Sequence, residues 1–145
     1  MLDVTAAHAR LRASGLRLTP QRRAVIEALA GNTAHPTAES VAESLSERMP
    51  GVSLSTVYKV LHELADLGLV RRVDSAGAMR FDPDTREHLH TVCRDCGELV
   101  DTPLPVEVRD AIAAAASDHG IAAESVEIVV HGVCQKCSMT LHPVN

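Results

Sequence analysis

The sequence predicts an α+β fold in two parts, a helical first part that ends in a β-hairpin and a mixed second part. Apolar residues recur at helical spacing before Gly68, and short alternating segments separated by turn residues follow it. Each part, at roughly 70 residues, would be only marginally stable alone, which favours a metal ion or a second chain as additional support.

Three helices are predicted before residue 50. The first spans residues 4–14 and is followed by glycine, a residue type common after the last helical turn. Thr19 caps the second helix, which begins at a proline and spans residues 20–30. Thr37 caps the third helix, and Pro50 ends it.

The fourth helix has the clearest pattern. Its apolar residues follow one another at i, i+3, i+4 and i+7: Val57, Val60, Leu61 and Leu64. Ser53 or Ser55 caps it, and Gly68 ends it. At about 100° per residue, four side chains fall on the opposite, solvent-facing side: Ser55, Tyr58, Lys59 and His62.

A β-hairpin follows, with strands over 69–73 and 78–82 around a turn at residues 74–77. Helices followed by a hairpin are the order of a winged helix-turn-helix, whose second helix enters the major groove of DNA. The alternative is a small helical bundle with a hairpin and no affinity for DNA.

The second part is predicted to be an α/β domain. We expect domains over residues 1–82 and 88–145, joined by a hinge at 83–87. The predicted elements of the second domain are strands over 89–93, 97–101 and 126–130 and a helix over 106–119. Its strand edges could pair across a dimer axis.

The charge distribution differs between the parts. Residues 1–82 hold 10 basic and 9 acidic side chains, whereas residues 83–145 hold 4 and 10. A purely electrostatic DNA-binding protein would be strongly basic. Any DNA binding is therefore expected in the first part, with a small contact surface and as a dimer, and the acidic second part suggests cation binding.

Composition excludes other classes of protein. With no Trp, one Tyr and one Phe, the chain lacks the aromatic side chains on which single-stranded nucleic acids stack. No run approaches the 18 or so apolar residues of a membrane span, and residues 1–14 lack an apolar signal region. We therefore expect a cytoplasmic protein whose cysteines are reduced or bound to metal.

All four cysteines occur in two Cys-x-x-Cys pairs, Cys93/Cys96 and Cys134/Cys137. Two such turns can supply four thiolates to one tetrahedral ion, which indicates structural zinc. The site would join segments distant in sequence, so that zinc binding contributes to folding. A redox disulfide pair, buried thiols and an iron–sulfur cluster are the alternatives.

A second candidate metal site combines histidines and carboxylates. His88 and His90 share one face of a predicted strand, and Asp101 ends the next strand. Asp82 precedes the hinge, and His35 precedes the third helix. Mixed nitrogen and oxygen ligands suit Fe(II), Mn(II) or Zn(II). Each residue taken singly is equally compatible with a solvated or capping side chain.

Together these features resemble the ferric uptake regulator family of metal-dependent repressors, and within it the peroxide-sensing branch. The resemblance extends over about residues 8–138. It rests on the following segments: Leu18–Arg22, Ala34–Thr37, Val52–Tyr58, Gly68–Val70, Arg80–Asp82, His88–Cys93, Cys96–Asp101 and Gly132–Cys137.

The resemblance implies a homodimer that binds a palindromic DNA operator and has no enzymatic activity. It implies one structural zinc ion per subunit at the four cysteines and a regulatory Fe(II) or Mn(II). The regulatory ligands would be His35, Asp82, His88, His90 and Asp101. By the same resemblance, Tyr58 matches a base-contacting tyrosine, and Arg22 is expected near the DNA backbone. The other expected DNA contacts are Ser55, Thr56 and Lys59.

Asp82 and Asp101 favour the peroxide-sensing branch, because similar iron sensors carry glutamate there. The resemblance then implies that peroxide, the only small-molecule substrate expected, reacts at bound Fe(II). His35 or His88 would be oxidised, and the dimer would release DNA. The alternatives are an iron, manganese or zinc homeostasis repressor of the same family, a metallohydrolase, and a thiol-based redox switch.

Overall fold

The computed structural model describes residues 1–32, 34–75 and 77–141. The chain separates into two compact units, Met1–Thr85 and Arg86–Asn145, and the α+β class predicted from the sequence is confirmed. The hinge role of residues 83–87 stays a prediction. Ala76 of the predicted turn and residues 142–145 of the second predicted domain lie outside the described residues.

The first unit consists of four helices and a hairpin. They are α1 (Val4–Ala13), α2 (Pro20–Ala30), α3 (Ala38–Leu45), α4 (Leu54–Asp66), β1 (Arg71–Ser75) and β2 (Ala78–Asp82). Each helix begins after a residue whose side-chain oxygen accepts a hydrogen bond from the backbone N–H three residues later: Asp3, Thr19, Thr37 and Ser53. Ser53 is therefore the cap of α4.

The core of this unit lies between the helices and β2. The four apolar residues predicted on one face of α4 are all buried, and α4 packs against α2 and α3. Phe81 of β2 is fully buried in the same cluster. Burial of this face directs the opposite face of α4 outward, as its sequence pattern predicts.

Strand β1 begins two residues later than the sequence pattern predicts. Gly68 has φ +70°, a conformation that favours glycine. The N–H groups of Gly68 and Leu69 then donate to the carbonyls of Ala65 (3.0 Å) and Leu64 (2.9 Å). Leu69 is therefore part of the end of α4, and β1 begins at Arg71.

The second unit holds β3 (His88–Cys93), β4 (Leu99–Pro103), α5 (Val106–Asp118), β5 (Ile128–Gly132) and α6 (Gln135–Leu141). The sheet order is β4-β3-β5, with β4 antiparallel and β5 parallel to β3. Helix α5 buries no side chain within this chain: Val106 is 60% exposed and Val108 42%. The described residues include no helix that combines the length and apolar character of a membrane span.

Candidate metal centres and DNA-binding face

The four cysteines converge at one end of the sheet of the second unit. Parallel pairing places Cys93 opposite Gly132, and the Arg94 N–H donates to the Gly132 carbonyl at 2.9 Å. Gly97 has φ +73°, and its N–H closes a tight turn onto the Cys93 carbonyl at 2.8 Å. Because Gly97 belongs to this turn, β4 begins at Leu99 rather than at Gly97 as predicted.

The sulfur geometry fits a single tetrahedral ion. The four Sγ atoms lie within 4.8 Å of one another, and Cys96 Sγ is 3.8 Å from Cys134 Sγ. Four thiolates around one zinc ion, with Zn–S bonds of about 2.3 Å, place their sulfurs about 3.8 Å apart. A disulfide requires about 2.05 Å, and all four thiols are free.

The protonation of this cluster also favours a cation. The pKa of Cys93 is lowered to about 6, chiefly because the Cys134 N–H donates to its sulfur and secondarily because the Cys96 N–H does. The pKa of Cys137 is raised, chiefly by the adjacent Cys134 thiol and then by Cys96. Adjacent thiolates repel one another, and a bound metal ion removes this cost.

In the first unit, His35 and Asp82 form one group of candidate ligands. The loop before α3 is tethered to β2, because the Phe81 N–H donates to the Pro36 carbonyl at 2.9 Å. Arg80 also donates to the His35 carbonyl at 3.2 Å. His35 adopts φ +48°, a strained conformation for a residue other than glycine. Its Nε2 lies 3.6 Å from Asp82 Oδ1, and both side chains are buried.

In the second unit, His88, His90 and Asp101 form another group. The antiparallel register pairs His90 with Asp101. The Nε2 atoms of His88 and His90 lie 3.0 Å apart. Asp101 Oδ1 is 3.5 Å from His88 Nε2 and 3.6 Å from His90 Nε2. The His88 Nδ1–H donates to the Arg86 carbonyl at 2.8 Å, which leaves Nε2 as the ligand atom of the neutral ring.

Both groups have the donor chemistry of a divalent transition-metal site. Ligand bonds of about 2.1 Å separate neighbouring ligand atoms by about 3.0 to 3.4 Å. Imidazole nitrogens combined with carboxylate oxygens suit iron, manganese and zinc. The residues of each group can therefore supply some of the ligands of such a metal site.

Comparison with known proteins identifies the family. Residues 13–131 match the model of the ferric uptake regulator family. The chain belongs to the ferric uptake regulator family.

Members of this family are transcription regulators. The "peroxide operon regulator" of Bacillus subtilis is 37% identical over 130 residues, covering 88% of each chain. The ferric uptake regulator of Pseudomonas aeruginosa, solved with manganese, is 28% identical with a TM-score of 0.75, covering 89% of this chain and 98% of that one. A structure of the peroxide sensor PerR from Streptococcus pyogenes is 27% identical with a TM-score of 0.55, covering 94% of each chain.

The predicted DNA-contacting residues of this family member lie on the first unit. Lys59 and Ser55 are exposed on α4. The Ser53 hydroxyl lies 2.9 Å from the hydroxyls of both Ser55 and Thr56. The Tyr58 hydroxyl donates to Glu39 of α3 at 2.8 Å, which raises the pKa of Tyr58. Their contact with DNA stays a prediction.

Arg22 takes part in an ion pair between helices. Its Nε and Nη2 donate to the two carboxylate oxygens of Glu63 at 2.9 and 3.0 Å, and Nη1 donates to the Arg17 carbonyl. This bidentate geometry fixes the relative orientation of the two side chains and strengthens the ion pair. Arg22 therefore joins α2 to α4, and its expected approach to the DNA backbone stays a prediction.

We expect Glu63→Gln to lower the free energy of unfolding of the first unit at neutral pH. The Arg22 hydrogen bonds hold the pKa of Glu63 below its usual range. A carboxyl whose pKa is depressed by folding contributes stability above its unfolded pKa and loses it as pH falls through the folded value. The difference between wild type and variant should therefore shrink as the pH falls through the depressed pKa of Glu63.

The measurement is urea unfolding monitored through the fluorescence emission of Tyr58, the only tyrosine in the chain. Glu27→Gln is the matched control, because Glu27 pairs with Arg48 at 3.4 Å on the exposed surface, where ion pairs contribute little. An equal effect of the two substitutions, or a difference that persists at low pH, would contradict this prediction.

Sequence reasoning did not single out Glu39 or Glu63. Their partners stand 19 and 41 residues away in the chain, so no local pattern marks either pair. Helical periodicity places both carboxylates on polar surfaces, where acidic residues are common.

Proposed function

We propose that this protein is a metal-dependent repressor that binds palindromic operator DNA as a homodimer and senses hydrogen peroxide. The observation that carries the proposal is the pair of histidine–carboxylate groups, His35/Asp82 and His88/His90/Asp101, on either side of residues 83–87. The 37% identity to a peroxide operon regulator supports the peroxide branch. We expect the protein to act in the cytoplasm.

The five side chains of these groups are the proposed ligands of one regulatory ion, Fe(II) or Mn(II). Joint binding would restrain residues 83–87, since ligands precede and follow them in the chain. Metal would then raise operator affinity by as much as it favours the DNA-binding conformation. Aspartate at positions 82 and 101, in place of the glutamate typical of similar iron sensors, favours peroxide sensing.

The four cysteines are the proposed ligands of one structural zinc ion per subunit. The four sulfurs lie within 4.8 Å of one another, with Cys96 Sγ and Cys134 Sγ 3.8 Å apart, and the lowered pKa of Cys93 favours the thiolate that zinc binds. Thiolates bound to zinc are poorly available to oxidants, so the sensing chemistry is assigned to the histidines rather than to the cysteines.

Dimerisation is assigned to the second unit. Helix α5 exposes Val106, Val108 and Ile112 within a single chain, and such an apolar face is typical of a subunit interface. In a two-fold dimer the two copies of α4 would face successive major grooves of a palindromic duplex. The DNA-contacting residues proposed are Arg22, Ser55, Thr56, Tyr58 and Lys59.

Fe(II), when bound, would supply the one-electron chemistry that activates peroxide beside a ligand imidazole. In the net reaction an imidazole C–H of His35 or His88 becomes C–OH, peroxide is reduced, and water leaves. The modified ring is a weaker ligand, so the residues on the two sides of 83–87 would no longer be held together and DNA affinity would fall.

The test is peptide mass spectrometry after anaerobic loading with Fe(II) and addition of limiting peroxide, with a Mn(II)-loaded sample in parallel. We expect one added oxygen on the peptide that contains His35 or His88, with iron only, together with loss of DNA binding. Unmodified histidines with retained DNA binding would overturn peroxide sensing. Loss of binding that dithiothreitol reverses would instead indicate a thiol switch.

An iron, manganese or zinc homeostasis repressor is the second candidate. The match to the manganese-bound ferric uptake regulator of Pseudomonas aeruginosa, with a TM-score of 0.75, favours it. Such a repressor would share the metal-dependent DNA binding but not the oxidation of histidine, and the same experiment separates the two.

A further inference from the structure

We infer that Glu39 is a positioning residue of the DNA-binding face, which holds the Tyr58 phenol in place and so controls the discrimination between DNA sequences. This inference rests on the proposed function. The Tyr58 hydroxyl donates to Glu39 Oε1 at 2.8 Å. Glu39 is in the first turn of α3, and Tyr58 is in α4, so the bond joins two helices.

The ring of Tyr58 is supported from a second direction. It stacks on His62, one helical turn later, with ring centroids 6.3 Å apart and planes inclined by 26°. His62 in turn meets Phe81 of β2 edge-on, at 5.9 Å and 84°. Both distances lie in the favourable range for ring pairs. Because Phe81 is fully buried, the row of rings is anchored in the core.

The hydrogen bond and the ring contact together restrict the orientations open to the Tyr58 side chain before DNA arrives. Ordering a free side chain on binding costs about 0.5–1.5 kcal/mol, and a pre-ordered one avoids that cost. The gain applies only to a duplex whose base edges match the fixed position of the phenol. Loss of the Glu39 bond should therefore weaken binding to the preferred sequence more than binding to other sequences.

The charge of Glu39 has the opposite effect on DNA affinity. A carboxylate on a DNA-facing surface repels phosphates of any sequence, so neutralising it raises the affinity for all duplexes alike. Glu43 lies one turn further along α3 and is also exposed. Alanine at position 39 removes both the charge and the acceptor of the phenol hydrogen bond, whereas Glu43→Ala removes an equal charge without removing that bond.

The experiment begins with selection of duplexes from a random library by the Mn(II)-loaded full-length protein. The ratio of affinities for the selected and a scrambled duplex is then measured for wild type, Glu39→Ala, Tyr58→Phe and the double variant. We expect Glu39→Ala to lower this ratio by about three- to tenfold in the Tyr58 protein and to leave it unchanged in the Tyr58→Phe protein. Glu43→Ala should raise both affinities without changing the ratio.

Two further readouts complete the test. The phenol pKa of Tyr58, the only tyrosine, should fall in Glu39→Ala as its bond to the carboxylate is lost. Thermal unfolding should show that Glu39→Ala and Glu43→Ala are both fully folded at the temperature of the binding assay, which excludes loss of the fold as the cause of a changed ratio. An unchanged ratio, an equal change in the Tyr58→Phe background, or an unchanged phenol pKa would each overturn this inference and leave the proposed function intact. Failure of the wild type to enrich any duplex would overturn the proposed function, and the inference with it.

Discussion

Cys93→Ser is expected to abolish zinc retention and to unfold the second unit. Cys93 is the buried member of the cysteine cluster and lies at the end of β3, where its sulfur accepts a hydrogen bond from the Cys134 N–H at 3.3 Å. Structural zinc contributes about 10–16 kcal/mol of apparent binding free energy to small domains at neutral pH. That exceeds or equals the stability of most domains, about 5–15 kcal/mol, and a serine hydroxyl is a poor replacement ligand.

Zinc content per chain by elemental analysis and far-UV circular dichroism during urea unfolding measure this effect. Ser138→Ala is the control, since Ser138 follows Cys137 on α6 and its hydroxyl donates to the Gln135 carbonyl at 3.0 Å rather than to the cysteine cluster. The control should retain one zinc ion per chain, and its urea concentration at the midpoint of unfolding should equal that of the wild type. A Cys93→Ser protein that also did so would show that the cluster is not a zinc site.

Asp82→Asn is expected to remove the dependence of operator affinity on Mn(II). The substitution preserves size, and an amide oxygen can still accept the hydrogen bond that the Asp84 N–H donates to Asp82 Oδ1 at 2.8 Å. It removes the negative charge that a divalent ion requires beside His35. Because changes to residues that only support ligands reduce metal affinity by about 10- to 100-fold, loss of a ligand itself should exceed about 100-fold.

Fluorescence anisotropy of a selected duplex during Mn(II) titration measures this loss. Asp74→Asn is the control, because Asp74 is an exposed residue of β1 and its replacement changes the charge of the hairpin equally. The control should titrate like the wild type. If Asp82→Asn kept a metal response within about threefold of the wild type, Asp82 would not be a ligand.

Helix positions in this chain follow from short-range signals. Thr19, Thr37 and Ser53 each accept a hydrogen bond from an N–H three residues away, so their effect is visible in the sequence. Strand β5 also begins two residues later than predicted, at Ile128. The displaced starts of β1 and β4 have the same local origin as the helix caps. At Gly68 and Gly97 the backbone turns with positive φ, and hydrogen bonds of the turn occupy residues that alternation alone had assigned to strands.

Candidate ligands were also visible as residue types at short spacings. Cys-x-x-Cys and His-x-His bring donors together through local geometry, and the structure has their atoms at ligand distances within each unit. The partners of these motifs depend on strand pairing. Register brings Cys134 beside Cys93 and Asp101 beside His90, and register follows from the pattern of the whole sheet.

By itself, the sequence determined the two-part α+β organisation, the starts of the predicted helices and the donor types of both metal groups, because each depends on residues a few positions apart. The end of α3 was predicted wrongly: the helix ends at Leu45 rather than at Pro50, because the Ser46 N–H donates to the Glu43 carbonyl and closes a tighter turn. Only the tertiary structure decided that Arg22 pairs with Glu63 and Tyr58 with Glu39. Those contacts follow from the packing of α2 and α3 against α4, in which side chains meet through burial of the apolar faces beneath them. Burial of the apolar faces determines which helices pack together. That packing in turn determines which polar side chains meet at the edge of the helix contact.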